Sequence, residues 1–208
     1  MPVTELSDAA LMELTREGDR AAFEEIVARY RQPVLNLAWR TVKDGTEAED
    51  LAQNVFVQAY RAADRYRPTA KFSTWLFTIA RNLCLNEIRR RGRHPAESMD
   101  AKAESDDGEY LRQFEDRKAA GPDVESERSE LYSKIDEAIR DLPESQRTAL
   151  LLCREGDQSY EDIAAVMNVS VSAVKSLIFR GRDALKKRLK PYLKTGEWTV
   201  VQSSGTED

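Results

Sequence analysis

Residues 160–182 read YEDIAAVMNVSVSAVKSLIFRGR, two helical periods separated by a short polar break. Ser159 stands three residues before Asp162, the spacing of an N-terminal cap, and opens the first period. Ala164 is small where two helices must cross closely, and Asn168 tolerates the left-handed backbone of a tight turn. Ile163, Met167, Val169, Val174 and Leu177 are the expected shared core. Together these features spell a helix-turn-helix. At about 100° per residue, Val174, Ile178, Gly181 and Leu185 share one face of the second helix, and Ser172, Lys175, Ser176 and Phe179 the opposite one. Phe179 therefore points away from the core among polar and basic groups, where an aromatic ring is useful only against a partner. Hydroxyls, Lys175, Arg180 and an aromatic ring on one helix suit the major groove of DNA, where base edges take hydrogen bonds and thymine methyls take apolar contacts. Lys186, Lys187 and Arg188 are expected to meet phosphates, which position without specifying sequence. A hairpin with a solvated basic face shares the periodicity but leaves the outward aromatic unexplained.

Upstream, helical spacing covers Leu131, Ile135, Ala138, Ile139 and Leu142. Pro143 stands where a first helical turn tolerates it, and a further helix carries Leu150 and Leu152 and closes at Gly156-Asp157. Between about residues 96 and 127 the periodicity is lost. This stretch is rich in Glu, Asp and Ser, contains Gly121-Pro122, and is too long for an ordinary loop, so it reads as a linker. The first 95 residues are helical again, with no strict strand alternation. Phe23, Ile26, Val27, Tyr30, Val34, Leu37 and Ala38 recur at three- and four-residue steps, with a kink or break expected at Pro33. A turn at Asp44-Gly45 follows, and Thr46-x-x-Glu49 has the form of a capping box. Leu51, Val55, Ala59 and Ala62 stripe the next helix, and Pro68 interrupts the pattern. Phe72, Trp75, Leu76, Ile79, Ala80 and Leu83 restore it until about Gly92 and Pro95. The expected class is all-α: a domain over residues 1–95, an acidic linker over 96–127, a helix-turn-helix domain over 128–193, and a tail over 194–208 in which Trp198, Val200 and Val201 could pack.

The helix from Phe72 carries a second stripe beside its apolar one. Trp75, Asn82, Asn86, Arg89 and Arg93 follow at steps of 7, 4, 3 and 4. An indole, two amides and arginines in a row can stack bases, read their edges and grip a backbone, which suits opened single strands better than a closed duplex. The loop from Arg65 to Lys71 is placed to receive an unstacked base. The same spacing is open to a plainer reading, with Trp75 in the core and the asparagines on the surface.

Charge is distributed unevenly. The 208 residues carry a net charge of −5, with 33% charged, 41% hydrophobic and 8% aromatic residues, enough for modest cores in two small helical units. Ser170–Lys194 holds eight bases and one acid, and Arg89, Arg90, Arg91 and Arg93 form a second basic cluster. Glu97–Glu130 holds twelve acids and five bases. Two basic poles about an acidic middle suggest two anionic contacts made separately. No apolar run is longer than Ala149–Cys153, which is far short of the roughly 18 residues of a membrane span. The N-terminus lacks the pattern of a secretory signal. Cys84 and Cys153 cannot make a disulfide framework, and with His94 as the single histidine a His/Cys zinc site is not expected. A cytosolic protein without membrane insertion, metal or other cofactor is expected.

Four ordered blocks, FEEIVARYRQPVLNLAWR, AEDLAQNVFVQAYRAADRY, KFSTWLFTIARNLCLNEIRRR and DLPESQRTALLLCREGDQSYEDIAAVMNVSVSAVKSLIFRGRDALKKRL, resemble the extracytoplasmic-function sigma factors of bacterial RNA polymerase. The resemblance spans about residues 8–94 and 128–190. It implies a region 2 domain that binds the clamp helices of core polymerase and opens the −10 element. It also implies a region 4 domain that reads the −35 element and docks on the polymerase flap, with control by an anti-sigma factor. By that resemblance Asp50, Leu51, Gln53, Asn54 and Phe56 fall on the polymerase-binding helix. Pro68, Lys71, Phe72, Trp75, Asn82, Asn86, Arg89 and Arg90 fall on the −10 surface, and Ser172, Lys175, Ser176, Phe179, Arg180 and Arg182 on the −35 helix. Asn54 departs from the usual Glu or Asp, and Leu177 replaces a common Arg.

The linker fits that arrangement. Two elements one and a half turns apart at roughly 34 Å per turn are separated by about 50 Å, and about 30 residues extend to roughly 100 Å. Its acidity would suit a basic polymerase channel. Two rival readings remain: a free-standing dimeric helix-turn-helix regulator, which leaves the first-half stripe without a role, and a metal-dependent nuclease or recombinase using Glu47, Glu49 and Asp50. Acids at a helix start more often cap than coordinate, and no nucleophile–base pair or phosphate-cradling glycine loop is present, so no catalytic residue is expected.

Overall fold

The computed structural model describes residues 2–93, 122–154 and 158–195, of which 122–130 and 195 are described as backbone only. Among these residues there are eight α-helices, two short 3-10 turns and no strand. The helices are α1 (Asp8–Arg16), α2 (Arg20–Val42), α3 (Gly45–Arg61) and α4 (Phe72–Arg93), then α5 (Pro122–Arg140), α6 (Glu144–Arg154), α7 (Tyr160–Met167) and α8 (Val171–Thr195). Most of the expected linker, Gly156-Asp157, His94 and the tail beyond residue 195 lie outside the described residues.

In the first domain, short polar side chains start the helices. Ser7 accepts from the Ala10 amide at α1, and Asp19 accepts from the Ala21 and Ala22 amides at α2. Two expectations are corrected between α2 and α3. The cap is Asp44, whose carboxylate accepts from the Glu47 amide, so the helix opens before the Thr46–Glu49 pair. The reversal is made by Lys43, left-handed at φ 60°, one residue before the turn expected at Asp44-Gly45. Nor does Pro33 break α2, which continues through it as one helix. Packing outweighs the lost hydrogen bond, because Val34, Leu35, Leu37, Ala38 and Trp39 directly after it are all buried. Ile26, Val34, Leu37 and Trp39 of α2 meet Leu51 and Val55 of α3 and Leu76, Phe77 and Ala80 of α4 in one core, closed by Leu11 and Met12 of α1. Each fully buried large apolar side chain stabilises the fold by about 1.5–3 kcal/mol.

In the second domain, α5 begins at Pro122, within the stretch expected to be linker. Arg147, itself buried, closes the α5–α6 corner by donating to the carbonyls of Arg140 (2.6 Å) and Leu142 (3.2 Å). The capping box at α7 is present, with Ser159 accepting from the Asp162 amide and Asp162 accepting from the Ser159 amide. Asn168 is left-handed at φ 54°, as a tight helix-turn-helix corner needs. Ile163, Met167, Val174 and Ile178 are buried, and Gly181 lies so close to α6 that a Cβ there would stand 2.6 Å from Leu150 Cδ1. Val169, expected in this core, is 40% exposed beyond the turn, and Leu177 is only half-buried.

The two domains share a continuous apolar core. The guanidinium of Arg40 on α2 donates to Asp136 on α5 through Nε at 2.9 Å and contacts it through Nη2 at 2.7 Å, with both residues buried. Arg140 lies 4.8 Å over the ring of Trp39. At the start of α4, Ser73 accepts from Gln158 at 2.6 Å, and Lys71 and Thr74 donate to Asp162 at 2.8 and 3.2 Å.

Candidate nucleic-acid interface

The α8 surface has the separation that its sequence spacing requires. Val174, Ile178 and Gly181 are buried against α6 and α7, whereas Ser172, Lys175, Ser176, Phe179, Arg180 and Arg182 are exposed. Phe179 is 73% exposed, which leaves a whole phenyl face in water between basic side chains. Arg180 folds back only weakly, with Nε 3.3 Å from the Ser176 carbonyl, and Arg182 Nη2 lies 3.8 Å from Cys153 Sγ. Lower down the helix, two of the three side chains expected to meet phosphates are engaged in ion pairs. Arg188 is bound to Asp141 at 2.8 Å and lies 3.8 Å from Glu137, bracing α8 on α5, and Lys187 pairs with Asp183 at 2.9 Å.

On α4 the stripe is divided. Asn82, Asn86 and Arg89 are exposed along one side of the helix, with Arg93 beyond them. Trp75 is half-buried, its ring 5.0 Å from Tyr66 and 5.6 Å from Phe72, so it packs on the core with part of its surface exposed. Phe72 is a correction: it is 4% exposed, packed on Tyr30 and Tyr66, and supports Trp75 from beneath rather than meeting a strand. Arg90 is exposed but paired within its own helix. Its guanidinium grips Glu87 through two bonds of 2.8 and 2.9 Å, and Arg91 adds a third at 2.9 Å. The Arg90 hydrogen bond, against the opposing effect of burial and with help from Arg91, holds the Glu87 carboxyl below its ordinary range. In the preceding loop Pro68 is exposed, and the Lys71 ammonium sits on Asp162.

Among the described residues no group of three or more His, Cys, Asp or Glu side chains could hold a metal ion. Glu47 instead lies 3.6 Å from Arg91. No single described helix is long and apolar enough to cross a membrane.

Comparison with known proteins accords with this geometry. The Sigma-70 region 2 profile matches residues 26–94, and the Sigma-70 region 4 profile matches residues 132–185. The RNA polymerase sigma-H factor of Pseudomonas aeruginosa is 41% identical over 197 residues, covering 92% of this chain and 98% of that protein. The ECF RNA polymerase sigma-E factor of Escherichia coli K12 is 36% identical over 193 residues, covering 91% and 98%. The chain belongs to the extracytoplasmic-function sigma factors. A solved relative, the sigma factor RpoE of Bartonella quintana in complex with the anti-sigma factor NepR, superposes with a TM-score of 0.61 at 25% identity, over 84% of this chain and 98% of that one.

On α3 of this sigma factor, Asp50, Gln53 and Asn54 are exposed. Leu51 and Phe56 are 6% and 8% exposed, so they anchor α3 to the core instead of offering a surface, which corrects their expected role. The sequence reading missed Val57 and Tyr60, exposed on the same helix four and seven residues after Gln53; that spacing was the available signal. It also missed Ser73, Thr74 and Gln158, whose roles depend on a contact between domains and leave no local pattern.

Proposed function

We propose that this sigma factor reads two promoter elements with two separate helix faces while core RNA polymerase holds them in register. Lys175, Phe179 and Arg180, with Ser172, Ser176 and Arg182, enter the major groove of the −35 element. Asn82, Asn86, Arg89 and the free edge of Trp75 meet the opened strand of the −10 element, whose extruded base enters the loop from Pro68 to Lys71. The exposed face of α3, Asp50, Gln53 and Asn54 extended by Val57 and Tyr60, meets the clamp helices of polymerase, with Asn54 removing one negative charge from that contact. Control by an anti-sigma factor is inferred from the Bartonella quintana relative, which was solved with one. The protein contributes no catalytic step and acts where polymerase does, in the cytoplasm.

The observation that carries this reading is Phe179, a large apolar ring in water at the centre of a basic helix face. A net charge of −5 explains why polymerase is needed: counterion release gives the free protein little nonspecific affinity for DNA, and polymerase raises the effective concentration of both surfaces. The test pairs gel-shift binding with run-off transcription on genomic fragments whose starts are mapped after overexpression. Weak binding alone, with tight binding and initiation in the presence of core enzyme, is expected. Equal promoter affinity without polymerase would contradict it, and would favour a free-standing regulator.

A further inference from the structure

The −10 loop and the helix-turn-helix are joined through one carboxylate. Asp162 belongs to the capping box of α7, where it accepts from the Ser159 amide and hydroxyl at 2.9 and 2.7 Å. The same carboxylate receives Lys71 Nζ at 2.8 Å and Thr74 Oγ1 at 3.2 Å from the other domain. Gln158 adds a bond to Ser73 beside it. A carboxylate accepting from a lysine and a hydroxyl at the start of a helix makes the contacts that a strand phosphate would make there. The buried Arg40–Asp136 pair holds the domains together behind this contact.

We infer that Asp162 occupies, in the closed chain, the place on Lys71 and Thr74 that a phosphate of the opened strand takes when the domains separate, so that the second domain masks the −10 surface until it is drawn away. The inference rests on the proposed role of the Pro68–Lys71 loop. It places regulation in the protein itself, at a residue outside both DNA-reading faces. Burial works against ionisation of Asp162, but the hydrogen bonds from Lys71 and Ser159 outweigh it and hold the carboxyl at about 2, so the mask is charged at every physiological pH. Separating the domains exchanges one anion for another on Lys71, and the charge balance at the loop is kept.

The test uses the full chain, without polymerase, and a fluorescent single-stranded 12-mer of random sequence. Asp162→Asn keeps an acceptor for the α7 cap while removing the charge. It is expected to bind about five-fold more tightly than wild type, the upper scale of an exposed ion pair, with a salt slope steeper by about 0.7. The gain should vanish with a methylphosphonate backbone and when Lys71→Gln is added. Asp136→Asn, which releases the domains without touching the cap, should give a similar Lys71-dependent gain and serves if Asp162→Asn loses helicity. If neither folded variant gains affinity, or if the gain survives Lys71→Gln, the masking inference is overturned. Run-off transcription with wild-type holoenzyme separates the two levels. Initiation without a Lys71-dependent gain sinks the mask alone, and no initiation on any fragment sinks the sigma-factor roles on which it rests.

Discussion

Trp75 and Phe179 are both aromatic rings on helices proposed to face DNA, yet they are held in opposite ways. Trp75 is wedged into a cluster with Tyr66 and Phe72, so one side of the ring is part of the fold and the other is free. Phe179 is 73% exposed. A ring that must stack on an unpaired base gains from being rigid before the base arrives, because less side-chain freedom is lost on binding. A ring that lies against thymine methyls in an intact groove needs only to protrude. On the proposed roles, the first domain combines stability and recognition in the same residues, and the second keeps them on opposite faces of one helix.

That contrast is broken most sharply by truncating the two rings. Trp75→Ala is expected to lower the stability of the first domain by about 2–3 kcal/mol, less than a fully buried aromatic, and to reduce initiation as well. Thermal denaturation and run-off transcription measure the two losses. Phe179→Ala should leave the melting temperature unchanged while costing about 1–2 kcal/mol in −35-dependent initiation, roughly ten-fold. If Phe179→Ala melts early, its ring belongs to the fold after all.

The glycines of α4 and α8 sharpen the same comparison at smaller scale. Gly181→Ala drives a methyl to 2.6 Å from Leu150 Cδ1, the movable end of its side chain, so a loss of about 1 kcal/mol is expected. Gly92→Ala meets no atom within 4 Å, and helix propensity should make it stabilising by about 0.5–1 kcal/mol. Chemical denaturation of each full-length variant decides the signs. Acid gives the smallest effect. The Asp162 carboxyl lies at about 2, below its ordinary 3.8, so its contact contributes fully above about pH 4 and is lost as the pH falls towards 2. The contribution is under about 1 kcal/mol, since the Lys71 side chain is half exposed. A carboxyl titration followed by NMR checks it; a midpoint at 3.8 or above would mean that the contact does not form.

Periodicity made most of the fold legible. The α8 faces, the left-handed Asn168 and the Ser159–Asp162 box follow from neighbours within four residues, which is the range over which a helix writes its pattern. The failures cluster where tertiary packing competes with a local rule. Pro33 stays helical because the residues after it are buried, and the turn expected at Asp44-Gly45 falls on Lys43 because Asp44 caps the next helix. Leu51, Phe56 and Phe72 lie in motifs that the family resemblance ties to binding, but they serve those motifs from inside the core. Arg40 and Asp136 are 96 residues apart, and nothing near either predicts their meeting. The exposed helix faces were thus legible in the sequence, whereas the contact between the domains at the start of α4 was not.

The two-surface account is tested most directly by changing the distance between the promoter elements. Run-off transcription by the holoenzyme would be measured on one mapped promoter with and without five base pairs inserted in its spacer, about half a helical turn. Two surfaces aligned by one polymerase predict a loss of at least ten-fold, because the insertion turns one element away from its reader. Undiminished initiation would contradict it, since a single surface acting alone has no stake in where the second element lies.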